Sequence, residues 1–396
     1  MATPQSRRSV LAGLAALAGC APTAPAPFTT AETSGPPVPF DDAVQGAAEA
    51  VMSSAPARTG QRTVVIDPLV DGVTGDQSAA TQQIQGRILE IARSRHPQFD
   101  IQPLSPRTIA RAPLVMVGTF TPVNSQGQTT GNREGLRFCL VMADLQSGKT
   151  VAKAVTRARL DGVDTTPISF FRESPAWTDD ANIKGYINTC QATRVGDPIS
   201  PDYLGGIMTA SIVSEAINAY AGGRFADAID LYRDARRTRV GDQLRVHNGL
   251  YLTNWKLGRQ DSAEDAFGDL VDFSLRNNRL AVKLLFRPGS TSLVGDDGAP
   301  TAMWLRQIAT QASRRNTCLQ VTGHTTKSGP AELNQHLSQL RADYVKERLE
   351  ADAPRLRGRI IAAGAGSANN LVGTGADNAS DALDRRVEFR VINACT

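Results

Sequence analysis

The 396-residue chain is short of the residues from which most catalytic and metal centres are built: four histidines, five cysteines and an aromatic content of 5%. Its cysteines stand far apart, with no Cys-x-x-Cys pair and no Cys/His cluster at zinc spacing, so no metal or other cofactor is expected. No apolar run reaches 18 residues, which excludes a multi-spanning membrane protein. Charge of one sign is scarce too: 43 Lys+Arg against 39 Asp+Glu leaves +4. Nucleic acid is therefore not an expected partner, since it calls for a concentrated basic surface with base-stacking aromatics. Gly-x-Ser-x-Gly and His-Glu-x-x-His are absent and no paired carboxylates stand out, so the expectation is a protein that is not an enzyme. What is present is ordinary globular material, 41% apolar and 21% charged, enough at roughly 150 residues per domain for two or three cores.

The N-terminus carries Arg7-Arg8, about ten apolar residues and then Leu17-Ala18-Gly19-Cys20, the order of a signal peptide too short to span a bilayer. Residues 1–19 are read as that signal. The arginine pair followed by Val10-Leu11 resembles a twin-arginine signal, general export being the alternative. Leu17 to Cys20 resembles a lipobox, which implies acylation of Cys20 and a membrane contact through the lipid. Residues 20–39, rich in Ala, Pro and Thr, suit a semi-extended tether. Ala21-Pro22 lacks an aspartate of the kind associated with inner-membrane retention, so the outer membrane, facing the periplasm, is favoured. Removing the signal leaves 41 basic against 39 acidic residues.

Residues 40–190 alternate helix and strand patterns. Phe40 to Ser53 has helical composition, Thr63 to Leu69 is a β-branched run closed by proline, and Ile84, Ile88 and Ile91 recur at helical spacing. Ser105-Pro106 offers a cap and first-turn proline, and Leu114 to Gly118 reads as a strand. Phe138 to Leu145 and Thr150 to Thr156 flank a Gln-Ser-Gly-Lys turn. An α/β sandwich is expected. Together with Val65-Ile66-Asp67-Pro68, this order is similar to the α/β domain of curli-secretion and penicillin-binding-protein-activator lipoproteins, which implies docking of envelope proteins. Gly72 to Ser78 lacks the Gly-Lys-Ser/Thr ending of a phosphate loop and is read as a turn into a helix.

After a linker at 191–204, residues 205–276 contain an internal repeat. Gly223 and Gly258, Ala228 and Ala263, Tyr232 and Phe267 are each 35 residues apart, and the segment resembles a pair of tetratricopeptide repeats. Two units are few to bury a core, so packing on a neighbouring domain is expected. Arg233, Arg236, Arg237, Arg239 and Arg245 read as a solvated helix face.

Residues 280–396 read as strand, helix, strand, helix, strand, strand, opening with a strand at Val282 to Phe286. Gly323-His324-Thr325-Thr326-Lys327-Ser328-Gly329, Asn334 to Ala342, and Asp384-Arg385-Arg386-Val387-Glu388 follow in the order of an OmpA-like C-terminal domain. The resemblance implies a βαβαββ fold that recognises the diaminopimelate side chain of the peptidoglycan stem peptide. In it Arg341 takes the carboxylate with a planar, permanently charged fork, and Asn334, Thr326, Asp384 and Arg385 fall in the same site. Thr326 stands where the family has an aspartate for the ammonium group, with Lys327 beside it. Losing a charged hydrogen bond of about 1.5–3 kcal/mol weakens binding about 10- to 100-fold. Asp381 or Asp384 is a candidate replacement, while His324 reads as structural.

The expected whole is a multidomain α+β lipoprotein that tethers a membrane leaflet to peptidoglycan while its other modules dock envelope proteins. The alternative is an assembly adaptor whose OmpA-like domain has lost wall binding. Among the cysteines, Cys139 with Cys190 and Cys318 with Cys395 would each lie within one domain, the pairing favoured over free buried thiols outside the cytoplasm.

Overall fold

The computed structural model describes residues 31–32, 36–56, 60–129, 133–284, 286, 291, 293, 300–315, 317–371 and 384–395. The signal segment, Cys20 and Asp381 lie outside them. The chain is a mixed α+β multidomain protein, and no helix of the described residues is long and apolar enough to cross a membrane.

The N-terminal part runs β1 (Ala31–Glu32), α1 (Phe40–Ser54), β2 (Arg62–Ile66), β3 (Val70–Asp71), α2 (Ala79–Arg95), β4 (Phe99–Pro103), α3 (Pro106–Ile109), β5 (Leu114–Val123), β6 (Gly135–Asp144) and β7 (Lys149–Ala158). These strands form one sheet in the order β1-β7-β6-β5-β2-β4, with β3 also on β5. All ten residues of β5 are buried, as expected of a strand covered on both faces. Period-two alternation sorts its neighbours. Val64, Ile66 and Met116 meet α1 and α2, while Val65, Val115 and Val117 face Tyr186, Cys190, Tyr203 and Ile207. Ser78 caps α2 in a reciprocal pair with Thr81, the local reason the helix starts there. At the hairpin, Asp144 Oδ1 accepts from the amides of Gln146 and Ser147, and Gly148 supplies the left-handed turn residue at φ +65°.

The second face is closed by elements from further along: α4 (Ser169–Glu173), β8 (Ala176–Trp177), α5 (Ala181–Gln191) and α6 (Pro201–Ala221). Disulfide Cys139–Cys190 ties β6 to the end of α5, and by loop-closure arguments such a bridge contributes about 4 kcal/mol. Helix α6 thus begins inside the segment read as a linker, and its Tyr203 and Ile207 belong to the sheet's core.

Helices α6, α7 (Phe225–Arg237), α8 (Leu244–Lys256) and α9 (Gln260–Arg276) make two hairpins. Gly223 and Gly258 turn at φ +72° and +70°, while Ala228, Ala263, Tyr232 and Phe267 are fully buried, so the 35-residue spacing repeats in space. A Cβ on Gly249 would lie 2.3 Å from the Tyr232 ring, which explains a glycine in mid-helix. Arg233, Arg236 and Arg237 pair with acidic neighbours on the surface. Arg245 departs from the solvated-face expectation: it donates to the Gly75 carbonyl at 2.6 Å and lies 5.5 Å over the Phe171 ring. It stands at the start of α8, where that helix meets the N-terminal domain.

The chain then forms β9 (Arg279–Val282), α10 (Thr301–Arg315), β10 (Cys318–Gly323), α11 (Ala331–Asp352), β11 (Ile360–Gly364) and β12 (Val387–Ile392). The first ladder falls at Arg279–Val282 and not at Val282 to Phe286, because Asn278, at φ +60°, turns the chain from α9 straight into the strand. Sheet order is β11-β10-β12-β9-β8. Strand β8, 100 residues upstream, covers what would be the open edge of β9, a common way to blunt such an edge. Phe267 stacks on Trp304 of α10 at 5.6 Å, and one apolar cluster runs from Phe170 through the repeat helices to Phe389. Cys318–Cys395 joins the start of β10 to the C-terminus.

At Ala31–Glu32 and Val38 the tether reading needs the same kind of correction. β1 pairs parallel with β7, and the backbone of Val38 bonds to Arg157 and Arg159. The edge of β7 offers unpaired backbone groups, and this stretch satisfies them.

Candidate functional site

The site named by the C-terminal motifs is built where α11 lies on the sheet. A Cβ on Gly323 would meet the Ser338 carbonyl at 2.1 Å, and one on Gly364 would meet the Gln339 amide at 2.5 Å. Glycine at these strand ends lets the helix backbone touch the sheet and aims the 324–330 loop over its N-terminal half. Asn334 and Arg341, two helical turns apart, share the inward face and are each 7% exposed. Asn334 Nδ2 donates to the carbonyls of Ser328 (2.9 Å) and Thr326 (3.4 Å), so the helix holds the loop. Thr326 Oγ1 and Ser328 Oγ share a hydrogen bond of 2.9 Å. The Arg341 guanidinium stacks 4.7 Å over the Phe286 ring, an arrangement that steadies a cation.

Asp384, fully buried, accepts the Leu371 amide at 2.7 Å, and Arg385 is half-buried beside it. The structure therefore joins Thr326 and Asn334 directly and ties Asp384 to the 365–371 loop. Phe286 and Ser328 were missed as site residues. Phe286 had been assigned to a strand, and nothing local marks it as the arginine's platform.

The opposite face of the same sheet holds a second polar centre, absent from the sequence reading. Glu388 takes a two-pronged grip from Arg279 (3.0 Å to each oxygen), with Arg386 at 3.1 Å and Arg390 at 2.8 Å. Burial opposes its charge, but Arg279, Arg386 and Arg390 outweigh that and hold the carboxyl down at about 2. His324 Nε2 lies 3.8 Å from Glu388. Burial first, then the Arg386 charge, depresses its pKa to about 3, so the ring is neutral at physiological pH. A cleft of about 580 Å³ opens over this face between β10, β12, the 365–371 loop and Thr129 and Arg133 of the β5–β6 connection. The signal that could have found it is the period-two run Arg386, Glu388, Arg390, which places all three on one side of β12.

A βαβαββ sheet with both helices on one face, carrying a buried arginine on the second helix, defines a small two-layer α+β domain. Residues 285–382 match the OmpA family model, so the C-terminal part of the chain carries an OmpA-family domain. The match takes in α10, β10, α11 and β11; β9 and β12 flank it. Similar solved structures include the cell wall anchor of the T6SS from Pseudomonas aeruginosa, at 30% identity over 29% of this chain and 80% of that one (TM-score 0.25). The peptidoglycan-associated lipoprotein from Burkholderia pseudomallei shares 26% identity over 28% and 88% (TM-score 0.24). The periplasmic domain of Helicobacter pylori MotB shares 18% over 29% and 76% (TM-score 0.25). No curated protein matches the sequence.

Proposed function

We propose that the protein is a non-enzymatic envelope lipoprotein that tethers a membrane leaflet to peptidoglycan through its OmpA-like domain, while the N-terminal α/β domain and tetratricopeptide-like helices dock envelope proteins. The observation that carries this is Arg341: a permanently charged fork, held by Phe286 on the helix that also positions Asn334 and the Thr326 loop. Such a group suits the carboxylate of a stem-peptide diaminopimelate. With Cys20 acylated, the lipid would raise the domain's local concentration at the wall, so that a site weakened at Thr326 is still occupied.

A second reading, an assembly adaptor without wall binding, draws support from Thr326 and Ser328, which satisfy each other where the family carries an aspartate. The two are separated by co-sedimentation of the full chain with purified peptidoglycan. Tethering requires that the wild type sediments and that Arg341→Ala reduces this by about 10- to 100-fold. A wild-type chain that stays in the supernatant leaves the adaptor.

A further inference from the structure

We propose that the cleft on the open face of the C-terminal sheet is a second binding site, for a short uncharged saccharide. It is separate from the Arg341 site. Leu319, Val321 and Phe389 turn into the core beneath α10 and α11, so by strand alternation Gln320, Thr322, Glu388 and Arg390 turn the other way, toward the cleft they line.

The charged groups of the cleft are engaged within the protein. Glu388 holds Arg279, Arg386 and Arg390, and Arg279 also lies 3.6 Å from Asp179. Arg386 donates to the Asn369 carbonyl at 3.1 Å, while Asp384 and Asp71 both act on Arg133. Arg133, Arg386 and Lys327 each engage further groups of the protein. An anion entering the cleft has to compete with Glu388 for arginines that it already grips, and a cation meets those same arginines, so the wall favours a ligand without net charge.

The neutral groups are the ones that lack partners. His324, 5% exposed, lines the cleft, and among the described residues no protein group hydrogen-bonds either ring nitrogen. Burial first, then the Arg386 charge, keeps the ring neutral, and a neutral imidazole needs one acceptor and one donor. Asn370 donates its Nδ2 to the Thr325 carbonyl at 3.4 Å, which leaves its buried Oδ1 wanting a donor. Such orphaned buried atoms are rare and costly. The Gln320 amide and the Thr322 hydroxyl add both kinds of group from β10. Sugar hydroxyls donate and accept at once, which a phosphate dianion, a carboxylate or an ammonium group does not. Next to Thr322 in the ladder stands Ala363, and with Ala365, Ala368 and Leu371 it gives the cleft an apolar lining for the C–H face of a pyranose ring. The volume of about 580 Å³ lies in the range of small-molecule sites. Thr129 and Arg133 of the β5–β6 connection line the same cleft, so it suits a mono- or disaccharide better than a passing strand.

The test is isothermal titration of the full chain with cellobiose and N,N′-diacetylchitobiose, and with glycerol 3-phosphate as the charged comparator. At least one disaccharide is expected to bind about tenfold or more tighter than glycerol 3-phosphate. His324→Phe removes both unpartnered nitrogens and should weaken binding about tenfold. Its thermal midpoint should equal or exceed that of the wild type, because a buried polar group without a partner gives way to an apolar one. Gln320 is only half-buried, so Gln320→Ala, expected to weaken binding about threefold or more, stays informative if His324→Phe fails to fold. Binding of neither disaccharide overturns the site, as does binding that ignores both variants while their melts match the wild type. Equal affinity for glycerol 3-phosphate overturns the preference for an uncharged ligand. The titration stands whether or not the chain sediments with peptidoglycan. Where it does sediment, saturating disaccharide should leave sedimentation unchanged; displacement from the wall assigns the cleft to wall glycan and overturns a separate, free ligand.

Discussion

Arg341 and Arg386 lie on opposite faces of one sheet. On the helix side, Arg341 rests on the Phe286 ring and Asn334, on the same helix face, holds the Thr326 loop. On the open side, Arg386 joins Arg279 and Arg390 around Glu388, and Thr129 and Arg133 of the β5–β6 connection line the cleft above them. The helix-side site depends on close packing of backbone against backbone. The open-side centre depends on compensated charge, and so it answers to pH and to substitution in a different way.

The comparison breaks most severely at Glu388. Replacing it by Gln leaves Arg279 and Arg386 facing each other with 19% and 1% side-chain exposure, and loss of one partner from a buried pair costs about 3–5 kcal/mol. Because its carboxyl titrates at about 2 in the fold, below the ordinary value, its contribution is present above about pH 4.5 and fades as pH falls toward 2. Urea denaturation should thus show the Glu388→Gln deficit at pH 7 shrinking by pH 3.

Next comes Gly323→Ala, which strikes the helix side. Overpacking against the Ser338 carbonyl should cost about 1–3 kcal/mol or more and lower the thermal midpoint. Arg341→Ala is expected to weaken peptidoglycan co-sedimentation by about 10- to 100-fold, whereas Arg390→Gln, on the other face of the sheet, should leave it unchanged. Equal losses in both variants would mean that the two faces are one site. Thr326→Asp restores the family's charge and should strengthen peptidoglycan co-sedimentation about tenfold.

The smallest effect lies away from both faces, at Asp67 beneath α6. Burial raises its pKa to about 6, partly offset by the hydrogen bond from Tyr203 at 2.9 Å. A carboxyl with a raised folded pKa stabilises while protonated and loses that contribution as pH rises through 6. Relative to the wild type, Asp67→Asn should gain about 1–2 kcal/mol in stability between pH 5 and pH 8.

Much of the secondary structure was legible because its causes are local. The capping pair Ser78 and Thr81, the Asp144–Gly148 turn, and the 35-residue echo of Ala228 and Tyr232 all lie within one element or repeat. The shared face of Asn334 and Arg341 was legible for a similar reason: helical spacing brings them to one side of α11, and the loop that Asn334 holds is adjacent in sequence. The two-residue strand β8 was not legible, since Ala176-Trp177 carries no pattern of its own and becomes a strand only because β9 offers an unpaired edge. Nor was the part played by the 72–78 loop. It holds Arg245 and Trp177 through the carbonyls of Gly75 and Thr74, contacts that join residues more than 100 positions apart.

Periodicity, caps and motif order thus settle which elements form and which chemistry each carries, since both follow from residues a few positions apart. Packing settles the rest: that β7 pairs with Ala31–Glu32, that α6 belongs to two cores, and that Arg279, Arg386 and Arg390 surround the carboxylate of Glu388. Those outcomes turn on burying surface and satisfying backbone groups between distant segments, and such pairings leave no spacing in the chain to read.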